Sequence, residues 1–422
     1  RKVQAVASGA LASGDTVVVN SDGTVSVVAG VAEGFGSPVV FDTSVGISHS
    51  AVYDANAQKV VIIYRDYGNS NYGTAIVGTV SGTSISFGTA VVYQSSLANR
   101  ASITYDANAQ KVVVAYSDTG NSYYGRARVG TVSGTGISFG NITTFEAATC
   151  AISISATYDS NAQKVVVAYV DQDNINRGTA IVGTVSGTTI SFGAAAVFDS
   201  SQQISQVAAT FDANAQKVVI AYIPTNVSQG RAIVGTVSGT SISYGSLVAF
   251  EGGAVSYLSP TYDANAQKVV IAYRNNGNSN YGTAIVGTVS GTSISFGTAV
   301  VYENADATQN SCTFDSNSNK VAIAYTDAGN SGYGTLIFGA VSGTSISFET
   351  PVVFETASTS FTFITYDTNA QKVAIAYTDA GNGSKPTSIV FQPGSTNLTA
   401  ENFIGIASNG YATGQAATIN VK

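Results

Sequence analysis

The chain has 422 residues and a formal net charge of −7, and only 10% of its residues are charged, against the roughly 25% usual in soluble domains. Apart from Arg1-Lys2, its 18 Lys and Arg residues are scattered singly, which excludes the basic footprint of a nucleic-acid binder. No apolar run reaches the roughly 18 residues of a membrane-spanning helix. Two cysteines, Cys150 and Cys312, are too few for a disulfide framework.

Residues 1–33 open without Met or an apolar signal core, so the chain reads as a processed product or a piece of a longer one. Within them, TVVVNSDGTVSVV carries a hairpin signal with Asp22-Gly23 at the turn. Residues 393–422 have a similar spacing of glycines and β-branched residues, and the two flanks are expected to form a small β module, the C-terminal one leading into further modules.

Residues 34–392 repeat. The heptapeptide YDANAQK at Tyr53 returns in close variants at Tyr105, Tyr158, Phe211, Tyr262, Phe314 and Tyr366. A period near 50 residues means a solenoid, a propeller or an array. Each unit reads as four strands; in the second they are Ala101 to Tyr105 (A), Lys111 to Ser117 (B), Gly125 to Val132 (C) and Gly136 to Phe145 (D). Strand B, as in KVVVAY, is apolar on both sides, which is the pattern of a strand covered on both faces. Helical periodicity is absent. The reading is an all-β, seven-bladed β-propeller of four-stranded blades. A row of seven independent sandwich modules is weaker, because such a unit is small for a core of its own.

Small residues three before the motif aromatic (Ser50, Ser102, Ser155, Ala208, Ser259, Ser311) fit crowding at the ring axis, with Phe363 as the exception, locally plugging the channel. The seventh repeat lacks strand D, while GFGSPVVF at Gly34 to Phe41 matches ISFETPVVF. The N-terminal segment is therefore expected to supply the outer strand of the last blade.

Four antiparallel strands put the A–B and C–D turns at one end of the ring and the B–C and D–A connections at the other. The first set is nearly invariant, whereas the second differs from repeat to repeat. Variation in repeat proteins collects on the binding face, so recognition is preferred to neutral drift. Candidates on that face are Arg65, Tyr67, Arg100, Tyr123, Tyr124, Arg177, Tyr257 and Arg274, stacking and hydrogen-bonding groups typical of adaptable binding surfaces.

Catalysis finds no support. Asp42, Glu146, Asp199, Glu251, Glu303 and Glu355, with Gln94 in the remaining place, form a ring that singles out no glycosidase pair. They read as strand caps that solubilise the rim. Asp66, Asp118, Asp171, Asp327 and Asp379 end strand B. The stretch Asp118 to Ser122 could offer oxygens to Ca²⁺, but an ordinary turn explains it better; no cofactor is called for. His49, the only histidine, occupies a variable strand-A position and does not read as a catalytic base.

The run YRDYGNSNYGTAIVGTVSGTSISFGTAVVY and the tail NLTAENFIGIASNGYATGQAATINVK resemble repeat proteins encoded by marine bacteriophages. That resemblance implies a virion component, such as a tail fibre or appendage, partnered by other virion proteins and by a host-surface glycan or protein in a multi-copy extracellular assembly. Architectural decoration of a capsid or tail, and a secreted glycan-binding or glycan-degrading protein, are the alternatives.

Overall fold

A computed structural model describes residues 2–28, 30–150, 152–396 and 403–421. They contain no α-helix, only strands and four short 3-10 turns, and so no helix able to cross a membrane. The chain divides into two compact units, one from residues 1–34 with 392–422, the other from residues 35–391.

In the larger unit the second repeat shows the pattern. Strand B, Lys111–Asp118, pairs antiparallel with the end of Val91–Asp106 (strand A) on one side and with Tyr124–Ser133 (strand C) on the other. Strand D is broken into Gly136–Phe139 and Thr143–Thr149, which pair with opposite ends of strand C. Three D–A connections are strand rather than loop: Val91–Asp106, Val300–Asp315 and Val352–Asp367 each run from strand D of one repeat through strand A of the next. Strand B is buried on both faces, and each apolar cluster joins neighbouring repeats, as Val113 and Ala115 join Val165 and Val167. This is why the strand needs no polar side. Strand A packs against strand A of the following repeat throughout, and that of the seventh against that of the first.

Polar stitches set the spacing. The hydroxyls of Ser50, Ser102, Ser155, Ser259 and Ser311 accept the backbone N–H of Ile103, Ala156, Ala209, Cys312 and Ile364 in the next repeat, at 2.9–3.4 Å. Small size at this position is thus joined to a bonding role. Ala208 lacks the hydroxyl, and the residue in the donor position of the next repeat is Pro260, which has no N–H to offer. Two departures from the pattern cancel.

Close approach fixes the outer layer. A Cβ on Gly88 would lie 1.9 Å from the carbonyl oxygen of Thr135 in the next repeat, and Gly140, Gly193, Gly245 and Gly297 meet the same obstacle. Glu349 stands at this position in the sixth repeat, because the seventh has no SGT turn to meet it. Residues 34–41 behave like a strand D: Val40 and Val39 pair with Thr387 and Ser388, and Gly36 abuts Thr83 of the first repeat.

The smaller unit holds a five-stranded antiparallel sheet, Lys2–Val6, Ala416–Asn420, Phe403–Ala407, Thr16–Val19 and Val25–Val27 in spatial order. It is built from two copies of one motif, ASGALASGDTVVVN at Ala7 and ASNGYATGQAATIN at Ala407. The copies bond reciprocally. Leu11 N–H donates to Tyr411 O and Tyr411 N–H to Leu11 O; Gly14 donates to Ala407 and Gly414 to Ala7; Ala7 donates to Gln415 and Ala407 to Asp15. Asp15 and Gln415 each accept the N–H of the alanine three residues before, Ala12 and Ala412. The flanks share more than composition: they are a pseudo-symmetric pair.

Candidate functional site

The two ends of the repeat unit are built differently. In the A–B turn, Asp54 Oδ1 accepts the N–H groups of Asn56 and Ala57 at 3.0 and 2.9 Å, and Asp106, Asp159, Asp212, Asp263, Asp315 and Asp367 hold their own turns likewise. Burial raises the Asp54, Asp159, Asp212 and Asp263 carboxyls above their ordinary value. Tyr105, Tyr158 and Tyr262 tie adjacent turns together by accepting the N–H of Asn56, Asn108 and Asn214. The C–D turn places Gly82 at φ 59, a left-handed conformation that suits glycine. Variation at this end would cost stability, so its monotony follows from packing.

At the other end the B–C connections carry pairs of left-handed residues: Ser70-Asn71, Ser122-Tyr123, Ile175-Asn176 and Ser279-Asn280. Tyr123 (φ 60, 43% exposed) and Ile175 (φ 56, 61% exposed) are unfavourable choices for that conformation, which costs a residue with a Cβ about 1–2 kcal/mol. Strain of this kind collects where side chains are presented for function.

The eight candidate residues differ in what they touch. Arg65 lies over the Tyr67 ring, 4.8 Å from its centroid, donates to the Tyr67 hydroxyl, and bridges to Asn99 Oδ1 of the next repeat at 3.0 Å. Arg274 is held by both oxygens of Asp306 at 2.6 and 2.7 Å, which raises its pKa. Tyr123 stands at a loop tip, and Tyr124 and Arg177 begin strands C. Arg100 and Tyr257 share a different feature: both line a central cavity of about 640 Å³ walled by the strands A.

That cavity has a constant feature the sequence reading missed. Six strands A carry a register shift, and in five of them a residue within the shift takes the left-handed conformation: Ser48 (φ 57), Arg100 (52), Tyr257 (54), Gln309 (56) and Phe361 (50). Each lies two residues before the small strand-A position, and all five line the cavity. They belong to repeats five, six, seven, one and two, a contiguous arc. A β-bulge re-aims a side chain, so this arc shows the cavity a cation, two aromatic rings, an amide and a hydroxyl. Aligning the repeats on the small residue would have exposed the variable position. Phe363 also lines the cavity, beside Phe361.

Asp42, Asp199, Glu251 and Glu355 cap strand ends as expected, accepting the backbone N–H of Ser44, Ser201, Gly252 and Ala357, but the ring also bonds inward, which corrects its reading as a merely solubilising rim. Seven strand-B tyrosines, almost fully buried, each donate to the residue after the last aromatic of strand D: Tyr64 to Asp42, Tyr116 to Gln94, Tyr169 to Glu146, Tyr222 to Asp199, Tyr273 to Glu251, Tyr325 to Glu303 and Tyr377 to Glu355, at 2.7–3.3 Å. Gln94 performs the same task without charge. Burial raises the Glu146 carboxyl and pushes the Tyr169 hydroxyl well above its ordinary value.

Asp66 Oδ1 caps its 3-10 turn through Gly68 and Asn69, and Asp118 Oδ1 binds Gly120 N–H and Ser96 Oγ. These carboxylates are occupied by protein donors. Among the described residues no cluster of His, Cys, Asp and Glu is placed to hold a metal ion. His49 is buried and donates from Nδ1 to Phe361 O at 3.1 Å; burial lowers its pKa to about 4. Cys150 and Cys312 are both free thiols, and burial raises both.

No protein-family model and no curated protein sequence matches the chain. Among solved structures, the chain is similar to the BP39L lectin of Burkholderia pseudomallei, with a TM-score of 0.61 at 10% identity over 85% of this chain and 99% of that one. It is similar also to the β-propeller domain of Cps50 (Swd1) from Myceliophteria thermophila, with a TM-score of 0.53 at 9% identity over 84% and 99%. At such identity the likeness establishes the fold, a β-propeller, and nothing further.

Proposed function

We propose that the chain is a non-catalytic carbohydrate-recognition protein: a propeller of seven four-stranded blades, closed by residues 34–41 as the outer strand of the last blade, that reads glycans with the end bearing its B–C and D–A connections. The observation that carries this reading is the contrast between the two ends. One repeats a single bonded turn, while the other spends conformational energy on varied, exposed side chains such as Tyr123 and Ile175. The fold shared with a lectin supports a sugar as ligand, and the engagement of the acidic ring by tyrosines supports binding without hydrolysis. The likeness of the repeat to marine bacteriophage virion proteins supports an extracellular setting on a fibre or appendage. Several weak sites acting together would then raise avidity by about 10² to 10⁴.

The test is binding to immobilised polysaccharides from candidate hosts, with product analysis for released sugar ends. Retention that is lost on exchanging the B–C and D–A connections, but kept when surface positions of the A–B turns are changed, is the expected result. Retention insensitive to those connections would favour an architectural role, and released sugar ends would make the protein a hydrolase.

A further inference from the structure

We infer that the central arc is a subsite for an anionic sugar residue, with Arg100 as the anchor of its charged group; this rests on the carbohydrate reading and narrows it. The chain contains 25 Asp and Glu residues, yet none of them lines the cavity. Among the residues that do, Arg100 is the one permanently charged side chain, since His49 is buried and neutral at physiological pH. Arg100 is exposed and has no acidic partner among the described residues. Arg65 and Arg274, by contrast, are already engaged. A lone cation in a concave site without acidic neighbours attracts anions, and a guanidinium suits the paired oxygens of a carboxylate.

The rest of the arc suits the sugar ring. Tyr257 and Phe361 offer flat apolar faces, and Gln309 and Ser48 offer hydrogen bonds. Next to the left-handed residues in three consecutive repeats stand Asn310, Thr362 and His49, each with a buried polar atom that has no hydrogen-bond partner: Asn310 Oδ1, Thr362 Oγ1 and His49 Nε2. With Nδ1 carrying the proton given to Phe361 O, His49 Nε2 is a bare acceptor. These atoms are closed to solvent, so they mark a polar stretch of the cavity wall behind the exposed arc rather than contacts for the ligand. The corresponding residues of the other four repeats, Ala101, Ile154, Val207 and Leu258, are apolar, so the polar side chains are confined to one side of the ring.

The test titrates the whole protein with methyl β-glucuronide, methyl β-glucoside and glucose 6-sulfate, followed by ligand-observed NMR. Wild type is expected to bind the glucuronide about tenfold better than the glucoside, the worth of one charge-assisted bond. Arg100→Gln is expected to erase that preference while leaving the fold intact, because Gln309 already occupies the equivalent left-handed position. Lys164→Gln, at an A–B turn, should change nothing. Tighter binding of the sulfate than of the glucuronide would identify a sulfated sugar as the anion, within the same inference. Equal binding of all three ligands, or a preference that survives Arg100→Gln, overturns the inference and leaves carbohydrate recognition standing. Failure of every glycan, neutral or anionic, on the wild-type protein removes both readings.

Discussion

His49 of the first repeat donates its Nδ1 proton to the carbonyl of Phe361 in the seventh, at 3.1 Å, with its ring edge-on to Phe41 and Tyr64. The bond joins the two ends of the repeat array through the one histidine of the chain.

Burial depresses this histidine from 6.5 to about 4. Between those values the unfolded chain takes up a proton that the folded one refuses, so stability present above pH 6.5 is lost as the pH falls towards 4, about 3 kcal/mol in all. The carboxyls raised by burial, such as Asp54 and Asp159, act in the opposite sense, so the difference between variants is the clean measurement. His49→Leu, imitating Leu258, should flatten the decline in urea midpoint between pH 7 and pH 4.5. Parallel curves for the two proteins would show that the imidazole is not the group responsible.

Tyr169 and Glu146 test the ring of internal bonds. Tyr169→Phe removes the donor to a half-buried acceptor and should lower stability by about 1–3 kcal/mol. Glu146→Gln should be far milder, because Gln94 already serves Tyr116 in this way. Urea denaturation of both variants decides; equal losses would mean that the charge, and not the bond, matters.

The strand-A stitches make a compensation experiment possible. Ser155→Ala should cost about 1 kcal/mol through the lost acceptor for Ala209 N–H. Ala208→Ser should give no gain, because Pro260 has no N–H. Adding Pro260→Ala to Ala208→Ser should recover stability relative to Ala208→Ser alone, read from denaturation midpoints in a double-mutant cycle.

Ile175 is expected to be a place where stability can be raised. Ile175→Asn puts a residue tolerant of the left-handed conformation at φ 56 and should stabilise by about 1 kcal/mol. Tyr123→Asn should do the same and weaken retention on glycan at once. A fall in midpoint for Ile175→Asn would show that its exposed side chain makes contacts that outweigh the backbone strain.

Much of the architecture could be read from residue spacing. The YDANAQK period marked the units, the two-sided apolar strand B marked a covered strand, and GFGSPVVF foretold the pairing with Thr387 and Ser388. The acidic ring was visible but its partner was overlooked: each acid stands 22 or 23 residues before a strand-B tyrosine, as Asp42 before Tyr64 and Glu146 before Tyr169. The central arc was harder to see. The left-handed Arg100 and Phe361 lie within register shifts of the paired strands, and non-glycine residues give no local sign of them. The terminal motif was legible in principle, but its two copies stand 400 residues apart, as Ala7 and Ala407 do, far outside the period that drew the eye.

That terminal pair decides how the molecule would answer a pull. Lys2 lies opposite Asn420 at the outer end of an antiparallel ladder that runs inward to Val6 and Ala416. Tension applied at the first and last residues would open this ladder rung by rung, as a zipper opens, and would not load its hydrogen bonds together. Because residues 35–391 lie between the two copies in the chain, the force would reach them only after the zipper had parted. The paired termini would then work as a mechanical fuse, giving way gradually at low load and sparing the blades.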